Sequence, residues 1–389
     1  MNFIDEFKSE VVSFFIGVLF SFFVFIGRKA WGFLLHHKHI NDFNKTSYIL
    51  DEKLNIFTVE NAIPEYKKIN IVPSGKKLFV NIPIDYQDCL KEHSFYPNLS
   101  FDGTSSFRDL SIQTGIYDLE KLIEIHSKKI AECFVNGIDG CKFNEKKYGV
   151  FDIDIGMREG VNEAPVCSIT TFETDFFTYR VFYSIYQELK QREHDICKID
   201  NLTKLKKYNC FLCSIGLNVL ACVDSNSFGL DELILTKRGN ETINYQNMYH
   251  ISVNEGMCYM DYNPSSYRFD VENCVFRGIE EELGISRDYH IKNNSDIQFW
   301  DLFVSKDTFD FGITCYIELK NIYFRDIQSL IAKDKKFEIS KLETVLAKKS
   351  DIEKYVTART FIPQGLYTVN SYFIRKFGRS IKIPNKKAD

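Results

Sequence analysis

The residues best suited to chemistry lie together in Arg277-Gly-Ile-Glu-Glu-Glu-Leu-Gly-Ile285. At helical spacing Arg277, Glu281 and Gly284 fall near one face, and Glu282 stands one position round from Glu281. Adjacent carboxylates of this kind suit a hard divalent cation such as Mg2+ bridging a phosphate, because such cations take oxygen ligands. Gly284-Ile285 reads as a helix end giving way to a turn. The bland alternative is a charged surface helix in which Arg277 pairs with Glu281, stabilised by about 0.3 kcal/mol. The strand and glycine expected before the run, and the strands expected after it, favour the chemical reading.

Several elements must position these side chains. Asp270 is the expected N-cap of a helix that continues to Gly284. It is entered from a strand at His250-Ile-Ser-Val-Asn-Glu-Gly256. Upstream, a lysine-rich link at Lys204 to Lys207 precedes an apolar run, Cys210 to Val223, which reads as a buried strand. After a loop with Asp224, Asn226 and Gly229, a strand at Leu233 to Leu235 leads to the basic pair Lys237-Arg238. Downstream, Ile297 to Val304 and Phe311 to Leu319 read as a hairpin-like pair of strands, and Lys341 to Ala347 as a further one. Ile352 to Val356 and Ile362 to Lys376 read as helices, the second entered through a proline turn.

Arg277, Ile279, Glu281, Glu282, Gly284 and Ile285 match the core of the Nudix box, Arg-Glu-apolar-x-Glu-Glu-x-Gly-apolar, and the stretch resembles that strand-loop-helix motif. The departures are Gly278, where the family has a glutamate, and Glu255-Gly256, where Gly-Gly is usual. The connection from Gly256 to the helix is also longer than the standard spacing, and the family's intermediate glutamate falls on Phe269, with Asp270 or Glu272 as possible substitutes. The resemblance implies a C-terminal α/β/α sandwich with a mixed sheet over residues 205 to 380, under half the chain. It implies Mg2+ at Glu281 and Glu282, which would also carry catalysis, and ligand contacts from Arg277, Lys237, Arg238 and Glu255. With Gly278 in the box, the substitute bases are Glu280, Glu255, Glu318, Glu338 and Glu343. Loss of a general base costs a factor of about a hundred to ten thousand, so a nucleotide binder is as credible as a hydrolase.

The start of the chain points elsewhere. Val11 to Ile26 contains no charged residue, and Arg28 and Lys29 follow it. The run is rather short against the roughly 20 residues of a spanning helix, but flanking residues can extend it, and it reads as a transmembrane helix. Asp5, Glu6 and Glu10 precede it, an order opposite to that of a signal peptide. The charge asymmetry predicts a single-pass protein of the inner cell membrane with its C-terminal bulk in the cytoplasm. Ser13, Gly17 and Ser21 form a small-residue stripe, which suggests a homo-oligomer in the lipid bilayer. The expected division is an anchor at 1 to 35, an α+β middle region at 40 to 204, and the Nudix-like domain.

The middle region is poor in chemistry. Ile69 to Val72 and Leu78 to Ile82 read as strands, Ile116 to Val135 and Thr178 to Glu193 as helices, and Val150 to Ile155 as a strand with Asp152 and Asp154 on a solvated face. A net charge of -4 gives no electrostatic case for binding a DNA or RNA duplex. Eleven scattered cysteines do not form a disulfide framework, and Cys210-Phe-Leu-Cys213 lacks the second pair that a zinc site needs.

A membrane helix joined to a Nudix-like domain is similar to the membrane-anchored Nudix effectors of bacterial CBASS anti-phage systems. That likeness implies an effector that binds a nucleotide signal, a cyclic oligonucleotide by expectation, and disrupts the membrane. The competing reading is a membrane-tethered, Mg2+-dependent pyrophosphohydrolase of a nucleoside diphosphate derivative.

Overall fold

The computed structural model describes residues 54–59, 66, 68–159, 164–225, 231–239, 245–333 and 339–381. Strand β1 (Ile56–Thr58) is followed by β2 (Lys68–Lys77), then helices α1 (Arg108–Thr114) and α2 (Leu119–Asn136). Strands β3 (Lys146–Glu159) and β4 (Ala164–Asp175) lead into α3 (Phe176–Gln191), whose N-cap Asp175 accepts a hydrogen bond from the Thr178 backbone. Leu122, Ile123, Ile130 and Phe134 of α2, at helical spacing, are buried against Phe177 and Val181 of α3 and the sheet beneath. Leu78 to Ile82 makes no strand, only an isolated bridge from Phe79 to Leu99.

The second half supplies β5 (Ile215–Asp224), β6 (Asp231–Arg238), β7 (Tyr249–His250), β8 (Val253–Gly256), β9 (Tyr262–Asn263) and β10 (Arg268–Phe269). Helix α4 (Val271–Gly278) follows, continued by a π-helical turn at Ile279–Leu283, then α5 (Arg287–Asn293). Strands β11 (Ile297–Ser305), β12 (Phe311–Tyr323) and β13 (Ile339–Leu346) precede α6 (Lys349–Thr357) and α7 (Pro363–Phe377). The larger sheet has eight strands, with a path β1-β11-β12-β5-β6-β13 and with β7 and β8 pairing β6 and β5. Among the described residues only β12 and β5 run parallel within it. Its central strand β5 is apolar on both sides, as a strand covered on both faces must be. Cys274, Val275, Ile279 and Leu283 of the α4 segment lie in the core with Leu217 and Val219. Val369, Tyr372 and Phe373 of α7 pack with Leu220, Leu233 and Trp300.

The smaller sheet has the order β3-β4-β2-β10-β9. Its last two strands come from the long connection that enters α4, and Phe269 of β10 pairs with Ile71 of β2. In exchange, β1 from the N-terminal side pairs with β11 of the larger sheet. One apolar core runs through both halves, joining Phe172 and Phe182 to Phe211 and Phe309.

These observations correct the expected fold class. The described chain is mixed α/β with two sheets, and the transmembrane helix expected in the fold class finds no support in it. No helix among the described residues is long and apolar enough to cross a membrane. The run at Val11 to Ile26, the small-residue stripe within it, and the bilayer, oligomer and localisation expectations attached to them lie outside the described residues.

Candidate functional site

Asp270 caps α4, accepting from the Asn273 backbone at 2.9 Å, and Gly284 ends the π turn at φ +80°. A side chain at Gly284 would also strike the Ile331 carbonyl, so the turn needs glycine on two counts. Between these ends the helix lies against β8 so closely that a Cβ on Gly278 would come within 2.7 Å of the Glu255 Cβ and 2.8 Å of a Val253 methyl. The position where the Nudix box carries a glutamate is therefore filled from the facing strand by the stem of Glu255.

Arg277 is the hub of the site. It reaches Asp261 through Nη2 to Oδ2 at 2.9 Å and Nε to Oδ1 at 3.2 Å, the Gly256 carbonyl through Nη2 at 2.9 Å, and Glu255 Oε1 through Nη1 at 2.8 Å. The same Nη1 donates to Glu281 Oε2 at 3.3 Å. Burial disfavours the guanidinium charge, but the hydrogen bonds to Asp261 and the attraction of Glu255 outweigh it and hold the pKa above its ordinary value. Glu281 also meets Lys333 at 3.3 Å.

Glu282 faces another way. It is 6% exposed, and its Oε1 accepts the Asn254 backbone N–H at 3.0 Å. With Arg238, Thr236, His250 and Asn254 it lines a niche of about 10 Å3, the size of a single water. Arg238 is thus brought to Glu282 but in a space closed to a nucleotide. Lys237, its neighbour on β6, stands in register with Tyr249 and Lys341, and strand alternation sends it to the opposite face. The His250 ring is held neutral, its pKa pushed down to about 3 by burial and by Arg238.

The substitute bases disperse. Glu343 bonds Tyr355 and Arg359 and pairs with Lys341, Glu318 accepts from Tyr316, and Glu338 lies outside the described residues. Among the described residues no group of three or more His, Cys, Asp or Glu is arranged to hold a metal ion. Glu281 and Glu282 engage partners on different elements, and a guanidinium occupies the space between the Glu255 and Glu281 carboxylates. This donor set does not fit Mg2+, contrary to the expectation from the box.

Two residues of the site escape a reading by sequence. Asp261, 1% exposed, sits in the extra length of the connection that enters α4; that extra length was the visible signal, though not the residue within it. Lys147 of β3 reaches within 3.9 Å of where a side chain on Gly256 would begin, and burial lowers its pKa despite Asp310 and Glu255 nearby. Nothing in the local sequence marks it.

Solved structures similar to this chain include Nudix proteins. The Nudix domain of Shewanella oneidensis NrtR complexed with ADP ribose is 12% identical, with 42% of this chain and 87% of that one covered and a TM-score of 0.26. A MutT/nudix family protein from Enterococcus faecalis is 13% identical, covering 34% and 43% at a TM-score of 0.24. A Deinococcus radiodurans protein is 16% identical, covering 42% and 82% at 0.28. No family model matches the chain. No curated protein matches it either. With scores this low, the geometry around Arg277 carries the functional reading.

Proposed function

We propose that the C-terminal part of this chain is a Nudix-like module that binds a nucleotide derivative and does not hydrolyse it. One observation carries the reading: Arg277 engages Glu255, Asp261 and Glu281 at once, so Glu281 of the expected cation pair and Glu255 among the substitute bases are committed to a guanidinium, while Glu282 is turned to the Asn254 backbone. The crowding at Gly278 supports the same reading, because the missing box glutamate has no space to be present. Retention of the capped helix, its glycine end and the mixed sheet beneath it supports a role for the box as a binding frame.

The test uses the full chain with ADP ribose, a nucleoside diphosphate and a cyclic dinucleotide, each with and without Mg2+, following heat of binding and product release together. The expected result is saturable binding of one class, independent of Mg2+ and without turnover. Mg2+-dependent product release abolished by Glu282→Gln would instead establish a hydrolase, and no binding of any class would remove the reading.

A further inference from the structure

A second site lies away from the box, between α2 and α3. Arg180 on α3 is 6% exposed. Its Nη1 donates to the Asp139 carbonyl at 2.6 Å, and its guanidinium carbon stands 5.8 Å from the centre of the Tyr183 ring. Among the described residues its Nε has no hydrogen-bond partner and its guanidinium makes no ion pair with a carboxylate. The thiols nearby cannot serve as counterions: burial raises the pKa of Cys133 and pushes Cys141 up to about 11. A buried guanidinium without a compensating anion is an expensive arrangement, and an anion bound against it would offset that cost.

Arg180 opens onto a cavity of about 580 Å3, within the range of small-molecule pockets. Lys129, Arg180 and Arg192 line it against Asp139 and Glu188. Both carboxylates are poor repulsive elements: Glu188 already accepts from His126 Nε2 at 2.7 Å and pairs with Arg192, while Asp139 is exposed. Lys129, exposed at the cavity wall, has no ion-pair partner among the described residues. His126, fixed on its other side by Ser184 at 2.8 Å, adds a polar floor.

We propose that this cleft binds a small molecule through its phosphate or carboxylate group, with Arg180 as the buried anchor and Lys129 as the outer contact. A guanidinium presents paired N–H donors to either oxyanion, and the cavity is larger than a bare ion, leaving space for the body of the ligand. The site is independent of the nucleotide reading, since none of its residues touches Arg277 or its partners.

The experiment titrates the full chain with inorganic phosphate and, separately, citrate, at constant ionic strength against chloride, by calorimetry and thermal shift. The expected result is saturable binding of at least one oxyanion, weakened about tenfold by Lys129→Ala and abolished by Arg180→Gln, with Arg180→Lys in between. The two arms tell a phosphate ligand from a carboxylate one. Because Arg180→Gln removes a buried group, circular dichroism accompanies it, and the surface variant Lys129→Ala decides the matter should Arg180→Gln unfold. Unchanged affinity in Lys129→Ala, or no saturable binding of either oxyanion to the wild-type chain, overturns the proposal.

Discussion

Arg277 and Asp261 form a two-point ion pair sixteen residues apart, with Nη2 to Oδ2 at 2.9 Å and Nε to Oδ1 at 3.2 Å. Asp261 also accepts the Cys258 backbone N–H at 2.9 Å, so the pair pins the connection between β8 and β9 onto α4. A guanidinium so engaged serves the architecture before it serves a ligand.

Replacing it therefore costs stability. Arg277→Gln leaves Asp261 buried and unpaired, and a loss of about 3 to 5 kcal/mol in urea denaturation is expected. Arg277→Gln combined with Asp261→Asn removes the stranded charge and recovers part of that loss. If the double variant is no more stable than the single one, the cost does not come from the unpaired carboxylate.

Gly278 gives a second prediction. Gly278→Ala forces its Cβ against Glu255 and Val253, an overpacking that costs about 1 to 3 kcal/mol. Gly278→Glu restores the letter of the box but not its function: it destabilises further and gains no Mg2+-dependent hydrolysis of nucleoside diphosphate derivatives. Glu255→Gly in the same chain removes the closest contact and returns part of the stability, read as the shift in denaturation midpoint.

How much of this was legible beforehand follows from what each feature depends on. The α4 segment was readable because its signals are local: Asp270 at the N-cap, apolar residues at helical spacing, Gly284 at the end. Strands β11 and β12 announced themselves through β-branched and aromatic runs on either side of a turn. The crowding of Gly278 by Glu255, the burial of Asp261 and the approach of Lys147 were not readable, because each is set by tertiary register between distant elements. The same holds for the crossing of β1 and β10 between sheets, which no periodicity encodes. Leu78 to Ile82 shows the converse error, since its apolar residues are buried in a loop rather than paired in a strand.

Two buried histidines predict the response to acid. His250 is pushed down to about 3 and His290 to about 4, both chiefly by burial. Each is depressed in the folded chain, so the unfolded chain binds more protons between the folded value and about 6.5. Stability from these groups is fully present above pH ~6.5 and is lost as pH falls toward 4, with a slope of up to about 1.4 kcal/mol per pH unit for each histidine. Urea midpoints measured from pH 7 to pH 4.5 check this, and His290→Gln is expected to flatten the dependence.

Glu282 separates the catalytic and structural readings of the box. Its Oε1 accepts from the Asn254 backbone, and Asn254 Nδ2 in turn donates to the Asn218 oxygen at 2.9 Å, tying the end of α4 to β8 and β5. Glu282→Gln keeps an acceptor at that N–H in a niche closed to a nucleotide, so a stability change within about 1 kcal/mol and unchanged nucleotide affinity are expected. Glu282→Ala strands a backbone donor and costs about 1 to 3 kcal/mol. A Mg2+ ligand would behave in the opposite way: neutralising its charge would abolish a stabilisation by Mg2+ that the wild-type chain shows. The expected finding is that Mg2+ shifts the melting temperature of neither protein, and a Mg2+-dependent shift in the wild type that disappears in Glu282→Gln would return the carboxylate to a metal.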